Sequence, residues 1–442
     1  MRLAFTYVRF GAKDKLLFSM PGSQWIGSLY PPKTKLVTPM KTSKDQNPTA
    51  PAAMNRRQFA KVMASGVLTA GLAGSASVAA AASAGSHAPK KNTLMHVGGD
   101  YHCVLGEHWA GKQNIEFHQR LGVKSFHANM GFVGGGNAKK GATKGGGQAA
   151  RIGDEYNLDD LKRWKDACDK GGLNWDGIRM DSGYIYLRPG AERDKKLDAI
   201  IGNIEKASQV GVKMLTHHWT MIPIRRNRNT PGRGGAFYNS FKLETNWKDL
   251  PVESNGVVSS DDYWERIEYF LKKVIPACKQ YNVKMAVHPY DPPGLPKGYQ
   301  GVDNWDCAPA TVLDSLKRYE AIIDSPYNGF QLCLGTCGEG LKNMKTEILP
   351  IVQYLADRGK IHNVHMRNVR GGLNDFQEVY HDEGDMNFIE IIRILRDAGY
   401  AGCILPDHAP IHADDPGKLQ AFSFAFGYIK ALIDAANLEV KS

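Results

Sequence analysis

The chain has 442 residues, of which 42% are hydrophobic and 23% charged, a composition typical of a globular protein with a large core. Its formal charge of +11 is concentrated at one end, because residues 1–84 contain 11 Lys and Arg against 2 Asp and Glu, whereas residues 85–442 contain 45 against 43. The body is thus nearly neutral, which argues against a nucleic-acid-binding protein, and we expect no nucleic-acid partner.

The first predicted segment is an export signal at residues 54–84. It begins at Met54 with the pair Arg56-Arg57, continues as a run rich in Ala, Gly and Ser, and reaches a small-residue site at 82–84. The segment resembles a twin-arginine signal peptide, which predicts export to the periplasm. Its apolar stretch is too weakly hydrophobic to predict a stable membrane anchor. Residues 1–53 form an N-terminal extension of uncertain role.

From residue 92 onward, short apolar runs alternate with segments of helical periodicity. The runs lie at 93–97, 123–127, 175–180, 212–216, 283–288, 329–333, 361–365 and 403–407. Helical spacing is clear at 264–278, after a capping sequence at 260–262, and at 388–395 before Gly399. Eight such units predict an α/β fold in which residues 92–442 form a (β/α)8 barrel, with an open doubly wound sheet as the alternative.

The last four predicted strands end in residue types that bind divalent metals. These residues are His288, Cys333, His365 and Asp407. Because the carboxyl ends of barrel strands meet at one face, we expect the four side chains to converge there. Two imidazoles, a thiolate and a carboxylate suit zinc, manganese, iron or cobalt better than magnesium or calcium. The sequence therefore predicts a metal site at the barrel mouth.

Further polar residues follow these strand ends and are candidates for substrate binding. Tyr290 and Asp291 follow His288, Asn368 follows His365, and His218 lies at the end of the fourth strand. The loop at 223–233, which is rich in arginine, suits an anionic substrate such as a carboxylate, although a solvated surface loop explains it equally well.

Five segments resemble the mannonate dehydratases, a family of the xylose-isomerase-like barrel group. They are HPYDPPGLP at 288–296, LCLGTCGE at 332–339, HMRNV at 365–369, FQEVYHDEGDM at 376–386 and LPDHAP at 405–410. The resemblance implies a xylose-isomerase-like (β/α)8 barrel. It also implies a divalent metal, usually manganese, on His288, Cys333, His365 and Asp407, with iron or zinc as alternatives.

The activity implied by the resemblance is dehydration of D-mannonate to 2-keto-3-deoxy-D-gluconate, a hydro-lyase step in glucuronate catabolism. His408 is then expected to transfer protons, Arg367 to contact the carboxylate or hydroxyls of the substrate, and His381 to support them. The implied partner is a small sugar acid, and a homo-oligomer is left open.

Several positions depart from the family pattern. Tyr290 and Ala409 stand where the family has Asp and Gly, residues 217–219 replace Tyr-Asn-Phe, and the loop after Asp407 lacks the family's tyrosine. Two alternatives therefore stay open. One is a sugar isomerase or epimerase on the same barrel, and the other is an exported, non-catalytic protein that binds a sugar acid or a metal.

Overall fold

The computed structural model of the protein describes residues 94–129, 155–221, 226–254, 256–303 and 311–440. The predicted extension at 1–53 and the predicted export signal at 54–84 lie outside the described residues. A search of the described helices for a segment long and apolar enough to cross a lipid bilayer finds none.

Eight parallel strands close into a barrel, which confirms the predicted fold and excludes the open sheet. Numbered in chain order among all strands of the described residues, the barrel strands are β1 (His96–Asp100), β2 (Ser125–Asn129), β3 (Asn174–Arg179), β4 (Met214–His218), β7 (Lys284–His288), β8 (Asn328–Cys333), β9 (Ile361–His365) and β12 (Cys403–Leu405). Their order around the barrel is β1-β12-β9-β8-β7-β4-β3-β2. The predicted apolar runs coincide with these strands to within a few residues.

The connecting helices surround the barrel. They are α1 (Lys112–Arg120), α2 (Leu158–Gly171), α3 (Ala191–Gln209), α4 (Ser260–Tyr281), α5 (Val312–Ile322), α6 (Leu334–Glu339), α7 (Met344–Asp357), α8 (Phe388–Asp397) and α9 (Leu419–Leu438). Each of the longer helices buries one apolar stripe, as Ile391, Ile392 and Leu395 do in α8. The start of α4 differs slightly from the prediction, because Ser259 caps the helix and exchanges hydrogen bonds with Asp262.

A second sheet, which the sequence pattern did not predict, is formed by the loops that follow β4 and β9. It is antiparallel, in the order β10-β11-β6-β5. Its strands are β5 (Arg228–Pro231), β6 (Phe237–Lys242), β10 (Val369–Gly372) and β11 (Asp375–Glu378). Three of these strands have only four residues and carry charges, so they lack the apolar run that marked the barrel strands. The sheet places Glu378 beside the barrel mouth.

Strand register brings the carboxyl ends of the barrel strands to a common level. His218 pairs with His288, Cys333 pairs with His365, and His365 pairs with Leu405. The polar residues at these strand ends therefore face one another, as expected at the functional face of such a barrel.

Candidate metal centre

The four predicted metal ligands lie together at the barrel mouth. His288, Cys333 and His365 are the last residues of β7, β8 and β9, and Asp407 lies two residues beyond β12. One ligand atom from each of His288, Cys333 and His365 lies within 4.8 Å of the other two. Asp407 joins this group, since its carboxylate oxygens lie 3.1 Å from His365 Nδ1 and 3.5 Å from Cys333 Sγ.

The backbone at Asp407 adopts a conformation that L-residues rarely take. Its φ of 64° lies in the left-handed region, which Asp tolerates better than most residues but which still costs free energy. Such strain is retained where the surroundings fix the side chain, and here four polar neighbours hold the carboxylate. They are His102, His365, Arg367 and His408. The strained turn therefore aims the carboxylate into the cluster.

His288 is held in the form that a metal ligand requires. Its Nδ1–H donates to the carbonyl of Pro289 at 2.7 Å, which leaves Nε2 with a lone pair. Burial lowers the pKa of His288 to about 4, so its imidazole is neutral at pH 7. The two ring nitrogens of the buried His365 make no aligned hydrogen bond. A buried nitrogen without such a partner is open to coordinate a metal ion.

Two further residues, Asp100 and His102, belong to the cluster at the end of β1 and were not predicted from the sequence. Asp100 ends β1 and is fully buried, and one of its oxygens lies 3.8 Å from His365 Nε2. His102 lies 3.1 Å from Asp100 and 3.6 Å from Asp407. Burial would raise the pKa of Asp100, but His102 and His365 lower it below its usual value. A polar residue at a strand end was the signal here too, but the first strand was predicted to end at residue 97, three residues before Asp100.

A buried ion network lies behind the ligands and is centred on Arg367. Its Nε donates to Asp407 at 2.7 Å, Nη1 donates to Glu339 at 2.5 Å, and Nη2 donates to the Thr336 hydroxyl at 2.8 Å. Glu378 and Asp291 both lie 3.3 Å away. Every guanidinium nitrogen of Arg367 thus holds a protein group. This geometry gives no support to the predicted substrate contact and makes Arg367 a support for Asp407.

Arg226, from the predicted cationic loop, is the second guanidinium of this network. It pairs with Asp291 and Glu339 at 2.9 Å and with Glu378 at 2.7 Å, and its side chain is only 11% exposed. Arg228 and Arg233 form ion pairs with Asp375 and Asp382. The described arginines of this loop are thus neutralised by the protein's own carboxylates. The sequence analysis offered two interpretations of this loop, a binding site for an anionic substrate and a solvated surface loop. Both were wrong for Arg226, which is buried and paired with carboxylates of the protein.

His408, the predicted proton-transfer residue, lies at the edge of the cluster. Its Nδ1 is 3.0 Å from Glu378 Oε1, its Nε2 is 3.7 Å from Asp407, and its side chain is 26% exposed. The carboxylate of Glu378 fixes the ring so that Nδ1 carries a proton and Nε2 faces the cluster. A partly exposed imidazole with one nitrogen fixed is well placed to exchange a proton with a bound molecule.

Two predicted substrate-binding residues are buried near the site. Tyr290 has no exposed surface, and its ring packs 6.1 Å from that of Tyr263 in the core. Asp291 is held by Arg226 and Arg367, which lower the pKa of its carboxyl to about 2 against the raising effect of burial. Both positions carry structural contacts in this conformation, and the geometry does not support direct contact with substrate.

Asn368 and His381 fix the loop that follows β11. The side-chain amide of Asn368 donates to the carbonyls of His381 and Met386, and its oxygen accepts from the N–H groups of Val369 and Met386. These contacts leave the amide no free group for substrate. Burial lowers the pKa of His381 to about 4, and its neutral ring packs beside Phe388 and Tyr428, which is compatible with the supporting role we expected.

His218 is the predicted substrate-binding residue that retains some exposure. It ends β4 beside His288, and burial lowers the pKa of its imidazole well below the usual value. A neutral, partly exposed imidazole next to the ligand cluster can donate or accept a hydrogen bond. A substrate contact by His218 stays a prediction that the geometry permits.

The fold and this site define a (β/α)8-barrel protein with a candidate metal centre at the carboxyl ends of its strands. A family profile described as D-mannonate dehydratase (UxuA) matches residues 239–440. A mannonate dehydratase of Endomicrobium trichonymphae is 35% identical over 325 residues, which cover 64% of this chain and 85% of that protein. One from Thermotoga neapolitana is 26% identical over 298 residues, which cover 58% and 79%.

The chain belongs to the mannonate dehydratase family. The crystal structure of mannonate dehydratase from Streptococcus suis serotype 2 shares the fold, with a TM-score of 0.62 and 21% identity over 79% of this chain and 95% of that one. The protein is thus a divergent, dehydratase-like member, and the family implies a divalent metal. The donor set of two imidazoles, a thiol and a carboxylate fits such an ion, as do the unsatisfied ring nitrogens of His365.

Proposed function

We propose that the protein is a metal-dependent hydro-lyase that converts D-mannonate to 2-keto-3-deoxy-D-gluconate. The observation that carries the proposal is the convergence of His288, Cys333, His365 and Asp407 at the barrel mouth, with His408 directly beside them. Family membership supplies the reaction class, and the cluster supplies donors suited to the ion that the class requires.

His288, Cys333, His365 and Asp407 would hold the metal, for which we propose manganese, with iron or zinc as alternatives. When bound, the ion supplies a positive charge that polarises substrate oxygens and stabilises negative charge developing beside the carboxylate. Arg367 supports this set because it donates to the Asp407 carboxylate. Glu339 and Thr336 in turn hold Arg367, so the carboxylate is oriented before substrate arrives.

The reaction requires that a proton leave C2 and a hydroxyl leave C3, so that the resulting enol becomes the 2-keto group and one water is released. His408 is suited to move one of these protons through Nε2, since Glu378 holds the proton on Nδ1. We propose His408 as the acid/base residue, with Glu378 as the residue that positions it.

A turnover assay tests this proposal. Purified protein loaded with Mn²⁺ should convert D-mannonate into a 2-keto-3-deoxy acid, detected by chromatography and mass spectrometry. His408→Asn should lower kcat by about 10²- to 10⁴-fold while keeping the metal, because only the proton carrier is removed. A Glu116→Gln variant, altered in an exposed ion pair on α1, should behave as wild type.

Other outcomes would redirect the assignment. An isomerised or epimerised sugar, with no keto-deoxy acid, would favour the isomerase hypothesis. The absence of a tyrosine between Asp407 and Lys418 favours both this hypothesis and that of a binding protein. Tight binding of metal and sugar acid without any turnover would indicate a binding protein. A turnover rate unchanged in His408→Asn would remove His408 from the mechanism.

We also propose that the protein is exported through the twin-arginine route to the periplasm, on the basis of residues 54–84. Replacing both Arg56 and Arg57 with Lys should shift the protein from the periplasmic to the cytoplasmic fraction of cells. An unchanged distribution would contradict this route.

A further inference from the structure

Among the described residues, four positively charged side chains lie close enough to the candidate metal centre to influence it electrostatically. They differ in whether a carboxylate of the protein pairs with them. Arg367 and Arg226 are both held by several buried carboxylates. Arg179 acts on His288, and Lys418 acts on Asp407 and Glu378. Within the described chain, neither Arg179 nor Lys418 takes part in an ion pair with a carboxylate. A half-buried cation without a counter-ion beside a functional site is suited to bind an anion.

Arg179 is the better placed of the two cations. It is the last residue of β3, so a barrel strand fixes its backbone at the mouth. The guanidinium carbon lies 5.2 Å from the centre of the Tyr101 ring, and Nη1 donates to the Tyr101 hydroxyl. A guanidinium held on one side in this way loses little further freedom on binding, and its remaining N–H groups match the two oxygens of a carboxylate.

The surroundings of Arg179 also favour an anion. The groups on which its charge acts include His127, His217 and His288, and burial lowers the pKa of the His127 and His217 imidazoles to about 3. These imidazoles are therefore neutral at pH 7, and they add no negative charge that would compete with a bound anion for Arg179. Lys418, by contrast, lies among the carboxylates of Glu378, Asp407 and Asp415, which would repel an incoming anion.

We propose that Arg179, positioned by Tyr101, binds the carboxylate of the substrate and so makes the site specific for sugar acids over neutral sugars. The inference rests on the proposed function for the class of substrate, and it adds the residue that selects that class. The carboxylate then lies on the β3 side of the mouth, next to His288, and the hydroxylated carbons extend over the ligand cluster towards His408.

Calorimetric binding to the metal-loaded protein tests the inference with D-mannonate, D-gluconate and D-glucuronate as anions and D-mannose and D-mannitol as neutral probes. Arg179→Gln should raise the Kd of the bound acid by about 100-fold and leave the weak affinity for neutral probes unchanged. Arg179→Lys, which keeps the charge but not the paired donors, should show an intermediate loss. The matched control is Arg370→Gln, since Arg370 is an exposed residue of the second sheet; it should bind as wild type.

Steady-state kinetics gives a second measurement, in which KM for the acid should rise far more than kcat falls.

Wild-type affinity for the acid in Arg179→Gln would overturn the inference. A loss of affinity for the acid in Lys418→Gln, with none in Arg179→Gln, would overturn it as well. A wild-type protein that binds none of the acids would overturn it too. If wild type binds an acid without turning it over, the proposed function fails while the Arg179 inference is still decided by binding. If Arg179→Gln does not fold, Arg179→Lys and Tyr101→Phe test the inference instead. In each variant the affinity for the acid should fall relative to the affinity for the neutral probes.

Discussion

The two halves of the barrel mouth are built differently. In the second half, the ends of β7, β8, β9 and β12 carry the four candidate ligands, and Arg367 and Arg226 bind the carboxylates behind them. In the first half, β1 contributes Asp100 and His102 to the cluster, whereas β3 ends in Arg179, which has no described ion pair. The carboxylates behind the ligands of the second half thus have guanidinium partners, whereas the first half has a half-buried arginine without an ion pair at the end of β3.

This difference separates the residues that orient the candidate metal ligands from the residue proposed to bind the substrate. A network in which every donor has a partner rigidifies the residues that it holds, and losing one member leaves buried charge uncompensated. A cation without a partner contributes little to stability but is available to a ligand. We therefore expect substitutions in the Arg367 network to affect folding and metal binding, and a substitution at Arg179 to affect substrate binding.

The largest expected effect on stability follows from Arg367→Gln. The change leaves Asp407 without a guanidinium and Glu339 and Glu378 with Arg226 alone, and breaking such a buried pair costs about 3–5 kcal/mol. Urea unfolding should detect this loss, together with weaker metal binding. Arg179→Gln, examined in parallel, should keep close to wild-type stability. Equal losses in the two variants would abolish the distinction between the halves.

Acid pH should destabilise the protein through buried histidines that are not candidate metal ligands. Burial lowers the pKa of His118 to about 4 and that of His127, His217 and His362 to about 3. The unfolded chain binds protons at these residues below about pH 6.5 and the folded chain does not, so stability present above pH 6.5 is lost as the pH falls towards 4. Unfolding free energies that stay constant between pH 6.5 and 4 would contradict this.

A smaller effect is expected from Asn368→Ala. The variant loses the side-chain contacts that fix the loop at 381–386, which should lower the unfolding free energy by about 1–3 kcal/mol. KM for the sugar acid should stay unchanged, since the amide has no group free for substrate. A large rise in KM without loss of stability would restore Asn368 as a substrate-binding residue.

Much of the fold and half of the mouth could be predicted from the sequence. The barrel strands carry apolar runs because they are buried on both faces, and the residue that ends such a run is easily located, which is how His288, Cys333 and His365 were found. The second sheet was missed because strands such as RNTP and DFQE bury little apolar surface.

Partners between distant residues could not be predicted. Arg226 and Arg367 are separated by more than a hundred residues yet share Glu339 and Glu378, and nothing local in the sequence indicates that pairing. For the same reason Arg367 was expected to face substrate, whereas the structure shows it holding Asp407. Residue type and strand position indicate that a group lies at the mouth, and the tertiary structure determines which way it faces.

The most direct test of the account is the metal content of the purified protein, measured by elemental analysis on wild type and on His288→Ala. We predict about one manganese, iron or zinc ion per chain in wild type and a large loss in the variant, with the fold preserved by circular dichroism. Wild-type protein that binds no divalent metal, even after incubation with each of these ions, would contradict the account. The convergence of His288, Cys333, His365 and Asp407 would then be a structural feature without the function assigned to it.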